Sequence, residues 1–101
     1  MTETVERKKA KKKIRKLSPP RDYKVILHND DYTPMEFVTW ILETVFHKNT
    51  PDAESIMLEV HKKGQGVAGV YTFEIAEQKI LDTAEAAKEN EFPLQCSAEP
   101  V

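Results

Sequence analysis

The 101-residue sequence predicts one small α+β domain in which three helices pack on one face of a small sheet. Three features predict it: a β-branched alternating segment from residue 23, two Thr-Pro pairs that each precede a helical apolar stripe, and a late alanine-rich run. Apolar residues make up 40% of the chain and charged residues 32%, which suits a modest globular core.

The first strand and the first helix are predicted from residues 23–46. Residues 23–28 read YKVILH, an alternating β-branched pattern that is typical of a strand. Thr33 and Glu36 stand at capping-box positions around Pro34, which predicts a helix start. The apolar residues that follow recur at helical spacing and predict a buried stripe of Val38, Ile41, Leu42, Val45 and Phe46.

The remaining elements are predicted from caps and apolar spacing. A second helix is expected from Thr50-Pro51 to Gly64, with an apolar stripe of Ala53, Ile56, Met57 and Val60. Residues 67–73 predict a second strand, with a connection that is loosened by Gly64, Gly66 and Gly69. A third helix is predicted over residues 74–90, with one side formed by Ile75, Ala76, Ile80, Ala84 and Ala87. Residues 92–96 predict a last strand.

The charge is distributed unevenly along the chain. Residues 1–20 hold eight Lys or Arg against two Glu (+6), whereas residues 21–101 hold seven against fifteen acids (−8). A basic run without periodic apolar residues cannot bury enough surface to offset the entropy of ordering. We therefore expect a flexible basic extension at 1–20, bounded by Ser18-Pro19-Pro20, and a folded domain at 21–101.

Several classes of function are disfavoured by the sequence. The lone Cys96 cannot form an intrachain disulfide and the charged start lacks an apolar signal segment, so we expect a cytoplasmic protein without a membrane span. Without a nucleophile elbow, HExxH or CxxC spacing, we expect no catalytic residues, metal or cofactor. The alternative is nucleic-acid binding or ribosome association through the basic extension, although a domain at −8 repels nucleic acid.

Short polar side chains mark the corner between the first strand and the first helix. Asn29, Asp30 and Asp31 are residue types that turn and cap, so a purely structural role can explain them. The alternative is a binding site, because residues on two helices can converge beside this corner: Met35, Val38, Met57, Val60 and His61. Such a hollow would have an apolar wall and a polar rim, and methionine suits a pocket that accepts several side-chain shapes.

Six segments carry a more specific signal. They are KVIL at 24–27, NDDYTPMEFV at 29–38, MLEVH at 57–61, GVYT at 69–72, EIAE at 74–77 followed by Lys79, and PLQC at 93–96. Together they resemble the ClpS family of protease adaptors over residues 22–97. The resemblance implies three helices on a three-stranded antiparallel sheet, in agreement with the element order above.

The resemblance also implies roles for individual residues. Asn29 and His61 would hydrogen-bond a bound α-amino group, assisted by Asp30 or Asp31 directly or through water. A pocket for a bulky first side chain, Leu, Phe, Tyr or Trp, would be lined by Thr33, Met35, Val38, Met57, Val60 and Leu94. Glu74 and Lys79 would lie on a separate surface for a ClpA-type AAA+ unfoldase. The implied function is capture of N-degron peptides and proteins and their delivery to the ClpAP protease.

Overall fold

Six elements follow one another in the computed structural model, which describes residues 21–101. They are β1 (Asp22–His28), α1 (Met35–Thr44), α2 (Thr50–Lys63), β2 (Gln65–Thr72), α3 (Phe73–Glu89) and β3 (Gln95–Pro100). The predicted element order and the α+β fold class are confirmed. The predicted flexible extension at 1–20 lies outside the described residues.

The sheet has the strand order β2-β1-β3, and both strand pairs are antiparallel. The central strand places Leu27 between Gly66 of β2 and Cys96 of β3. The register shifts between Val25 and Ile26, where β2 carries one extra residue, the fully buried Ala68. Because β1 is hydrogen-bonded along both edges, its C-terminal end is a fixed point from which the next loop starts.

The core joins the central strand to all three helices. Val25 and Leu27 of β1 are fully buried. They share one apolar cluster with residues from every helix, including Ile41, Leu42, Ala53, Val60, Ala76 and Ala87. Burial of such side chains stabilises the fold by roughly 1.5–3 kcal/mol for each large one, so the helix positions depend on β1.

The predicted C-terminal glycine of α2, Gly64, is confirmed, but both predicted N-caps are displaced by one residue. Thr33 does not cap α1; Pro34 occupies the N-cap without a side-chain hydrogen bond, and the helix begins at Met35. The Thr33 hydroxyl instead donates to Asp30, at 2.8 Å. For α2 the cap is Asn49, one residue before the predicted Thr50, and its Oδ1 accepts the Asp52 N–H at 2.9 Å.

Three predictions for the second half of the domain are also corrected. Gly66 and Gly69 belong to β2, and Phe73 already begins α3. Ile75 and Ala84 are exposed, while the buried face of α3 consists of Ala76, Thr83 and Ala87. The last strand begins at Gln95 and not at the predicted Phe92, whose N–H still donates to a carbonyl of α3, that of Ala87, at 2.8 Å.

Candidate functional site

Nine side chains surround a cavity of about 240 Å³ beside the C-terminal end of β1. It is called here the polar-rimmed pocket and is lined by Asn29, Asp30, Asp31, Thr33, Met35, Val38, Met57, Val60 and His61. The volume is below the roughly 300–1,000 Å³ of sites for drug-sized ligands, so the pocket suits a group about as large as one side chain.

The sequence predicted ten residues for the pocket and its rim. Nine of them line the cavity, and the tenth, Leu94, does not. Leu94 is buried at 4% exposure and does not line the polar-rimmed pocket. It lines a separate hollow between α3 and β3, together with Ile80, Ala84, Gln95 and Cys96. The assignment of Leu94 to the pocket came from the family resemblance, and it stays a prediction.

Asp30 shapes the loop that forms the rim. Its Oδ1 accepts the backbone N–H groups of Tyr32 at 2.8 Å and of Thr33 at 2.7 Å, and its Oδ2 accepts the Thr33 hydroxyl at 2.8 Å. These are the contacts of an Asx-type turn, which folds the chain back ahead of α1. Asp30 therefore holds Thr33 at the pocket and also positions the start of α1.

The two acidic residues differ in their surroundings. Burial alone would raise the pKa of the Asp30 carboxyl, but hydrogen bonds from Thr33 and Tyr32 outweigh it and lower that pKa below its ordinary value of 3.8. The turn is thus fully stabilised above pH 3.8 and loses this contribution as the pH falls through the lowered pKa. Asp31 is exposed, and no residue in 21–101 hydrogen-bonds to its carboxylate, which leaves its oxygens free at the rim.

A backbone hydrogen bond brings Asn29 next to the end of α2. The Asn29 N–H donates to the Gly64 carbonyl at 2.9 Å. Gly64 caps α2 in the left-handed conformation, with φ of 90°, and its own N–H donates to the Val60 carbonyl. Since His61 lies in this last turn, the two polar side chains that were predicted to act together line the same pocket.

The apolar wall comes from α1 and α2. Val38 and Val60 are buried, at 6% and 2% exposure, and belong to the core cluster. Met35 is 44% exposed at the mouth, and Met57 is half-buried. The wall therefore has a rigid valine floor and two flexible methionine sides, which can adjust to side chains of different shape.

Gly66 is a positioning residue that the sequence reasoning missed. A Cβ at this position would lie 2.9 Å from Val60 Cγ2 and 3.4 Å from Glu59 Oε1. Only glycine lets β2 approach the pocket-lining turn of α2 this closely, because any larger residue would displace Val60. A glycine inside a strand often marks a close backbone approach, but the predicted strand began at residue 67, so Gly66 was assigned to the connection instead.

The residues that were predicted for a second surface both lie on α3. Glu74 is the second residue of this helix and is exposed. The Lys79 ammonium donates to the Val45 carbonyl at the C-terminal end of α1, at 2.7 Å, and lies 5.7 Å from the centre of the Tyr71 ring. No residue of α3 lines the polar-rimmed pocket, so these two residues are spatially separate from it.

Other kinds of site find little support in residues 21–101. Burial raises the pKa of the Cys96 thiol to about 11, so it is protonated near neutral pH and unsuited to act as a nucleophile. Within these residues no cluster of His, Cys, Asp or Glu is arranged to hold a metal ion. The helices of the described part are too short or too polar to cross a membrane.

Comparison with known proteins gives a consistent picture. The family model for the ATP-dependent Clp protease adaptor protein ClpS matches residues 18–97. The ATP-dependent Clp protease adapter protein ClpS of Syntrophus aciditrophicus is 56% identical over 86 residues, which cover 85% of this chain and 80% of that protein. The protein of the same name from Acetivibrio thermocellus is 59% identical over 81 residues, covering 80% and 82%.

A solved structure is also similar. The structure of Agrobacterium tumefaciens ClpS2 bound to L-phenylalaninamide matches with a TM-score of 0.79 and 41% identity, covering 82% of this chain and 100% of the other. The family model spans most of the sequence, and relatives more than half identical cover four-fifths or more of it. The chain therefore belongs to the ClpS family of Clp protease adaptors.

Proposed function

We propose that this chain captures proteins through a free N-terminal Leu, Phe, Tyr or Trp and delivers them to the ClpA-type unfoldase of a ClpAP protease. The supporting observation is the polar-rimmed pocket, where an apolar wall meets a rim of Asn29, Asp31 and His61. Cys96 is the only cysteine of the sequence, which fits a cytoplasmic location because reducing conditions there disfavour disulfides.

The ligand of the similar solved structure supports this choice. L-phenylalaninamide combines a free α-amino group, an aromatic side chain, and a carboxamide at the position where a polypeptide continues to its second residue. It is thus a minimal analogue of a chain that begins with phenylalanine. The polar-rimmed pocket has complementary parts for the first two groups, and its open mouth leaves room for the third.

The polar rim suits an ammonium group. An α-ammonium has three donors and one positive charge, so it requires acceptors and nearby negative charge. The Asn29 amide oxygen and an unprotonated His61 nitrogen provide acceptors, and the free carboxylate of Asp31 provides charge. Asp30 acts indirectly, because its oxygens already hold the loop.

The apolar wall selects large side chains. Burying an apolar first residue against Val38, Val60 and the two methionines contributes roughly 1.5–3 kcal/mol. An alanine gains little from the same wall, and a charged first residue loses hydration there without gaining a partner. Selection therefore rests on the size and polarity of the first side chain.

The docking surface for the unfoldase is proposed to include Glu74 and Lys79. Glu74 has an exposed carboxylate close to the start of α3. Lys79 holds the end of α1 through the Val45 carbonyl, so it contributes to this surface partly by fixing its shape. Because this surface is separate from the polar-rimmed pocket, an adaptor with a substrate in the pocket can still contact the unfoldase.

The first prediction concerns the choice of first residue. Peptides that differ only at position one should bind about ten- to a hundredfold more tightly with Phe, Leu, Tyr or Trp than with Ala, Lys or Glu. Met35→Ala should weaken or broaden this preference, while Leu58→Ala, an exposed apolar residue outside the pocket, should not. Calorimetric titration measures both effects, and equal affinity for all first residues would refute the proposal.

The second prediction separates the two acidic residues. Asp31→Ala should weaken binding of a Phe-initiated peptide about two- to fivefold and leave stability unchanged, because its carboxylate is free and exposed. Asp30→Ala should lower both affinity and the free energy of unfolding, the latter by more than the roughly 0.5–1.5 kcal/mol of a single hydrogen bond, because three are lost. Urea unfolding and peptide titration of both variants test the division, and identical behaviour would contradict it.

The third prediction concerns delivery. Glu74→Ala should reduce degradation of a Phe-initiated substrate by the reconstituted protease while leaving peptide affinity unchanged. Lys79→Ala should do the same and also lower stability, because it removes the bond to Val45. Lys88→Ala on the exposed part of α3 is the matched control. Loss of peptide binding by folded Glu74 and Lys79 variants would show that the two surfaces are not separate.

A further inference from the structure

A second hollow adjoins the polar-rimmed pocket along α1 and α2. It has a volume of about 490 Å³ and is called here the acidic groove, lined by Met35, Glu36, Thr39, Trp40, Glu43, Glu54 and Met57. Met35 and Met57 line both hollows, so these two flexible side chains are the shared wall. A chain that leaves the mouth of the pocket past Met35 can therefore enter the groove.

The groove has an apolar surface and an uncompensated negative rim. Trp40 is 46% exposed and stacks on Phe37 with ring centres 5.7 Å apart, which leaves part of the indole open to a ligand. Three of the lining residues are glutamates and none is basic. Within residues 21–101, none of these glutamates forms an ion pair.

One of these glutamates is already oriented. Glu43 Oε2 accepts the Thr50 hydroxyl at 2.8 Å, across the connection between α1 and α2. Its second carboxylate oxygen can still accept from a ligand. A charged rim around methionine and tryptophan matches a side chain that has a long apolar stem and a cationic end, as Lys and Arg have.

We propose that the acidic groove is an extended subsite that selects Lys or Arg among residues two to four of the bound polypeptide. The assignment rests on the proposed capture of the first residue in the adjoining pocket. An extended chain advances about 3.3–3.6 Å per residue, so these positions lie within about 11 Å of the first. The groove thereby adds a charge preference to the size preference of the pocket.

The competing occupant is the chain's own basic extension. Residues 1–20 carry a charge of +6, from eight Lys or Arg against two Glu. A bound polypeptide is favoured over this segment because the groove shares two lining residues with the pocket and therefore continues the path of the substrate. The experiment below distinguishes the two occupants.

Three peptides that begin with Phe and carry Arg, Gln or Glu at positions two to four should be titrated into the full-length protein. At low salt the Arg peptide should bind about three- to tenfold more tightly than the Gln peptide, and the Glu peptide should bind most weakly. The preference should shrink as ionic strength rises, because these charges are exposed. Emission from Trp40, the only tryptophan, should change more with the Arg peptide than with the Gln peptide.

Changing Glu36, Glu43 and Glu54 together to Gln should abolish the charge preference while the Gln peptide binds as before. The matched control changes three exposed glutamates of α3, Glu77, Glu85 and Glu89, to Gln; it alters the net charge equally and should keep the preference. A Phe-peptide that binds with no charge preference would overturn the groove assignment and leave the pocket proposal intact.

If the charge preference is absent, variants of the basic extension show whether the chain itself occupies the groove. If changing Lys11, Lys12 and Lys13 to Gln alters Trp40 emission in the ligand-free protein, and the peptides show no charge preference, the groove belongs to the chain's own extension.

Discussion

A single backbone hydrogen bond, from the Asn29 N–H to the Gly64 carbonyl, joins the end of the central strand to the end of the second helix. The placement of Asn29 beside the last turn of α2 at the polar-rimmed pocket depends on this junction. β1 is fixed by pairing on both edges, and α2 ends sharply because Gly64 adopts a left-handed conformation that other residues adopt at a cost. The bond therefore sets the position of His61 relative to Asn29 before any ligand is present.

The loop that follows extends this preorganisation. Asp30 uses both carboxylate oxygens to hold Tyr32 and Thr33, so the backbone of this loop has little freedom left to lose on binding. Ordering a loop costs roughly 1–2 kcal/mol per residue, and a pocket that is already ordered avoids that cost. The methionine sides stay adjustable, which combines a fixed site for the amino group with tolerance for several large first side chains.

Much of this arrangement was predictable from the sequence. Helical spacing placed Met35 with Val38 and Met57 with Val60, and the resemblance to a known family connected both pairs to the polar corner. The errors arose where two neighbouring residues compete for one role. Asn49 and Thr50 are both good caps, and the cap position of α1 falls on Pro34, one residue after the predicted Thr33.

The remaining misses depend on packing between elements that are distant in sequence. Leu94 was assigned to the pocket by the family resemblance, whereas the hollow that it lines depends on how the start of β3 and the residue before it pack against α3. Gly66 was interpreted as a flexible link, although its role is to let β2 contact Val60. The acidic groove was invisible for the same reason, because its glutamates come from two helices whose relative position follows only from the folded core.

The central claim is that the pocket recognises a free α-amino group next to a large apolar side chain. The most direct measurement compares a Phe-initiated peptide with its N-acetylated form on the wild-type protein and on Asn29→Ala and His61→Ala variants. Acetylation removes the charge and places a methyl group among the acceptors, so the wild type should lose at least about tenfold in affinity. Each variant should bind the free peptide about tenfold more weakly and discriminate less between the two forms. Equal affinity of the wild type for both peptides, or normal binding of the free peptide by the folded variants, would contradict the account.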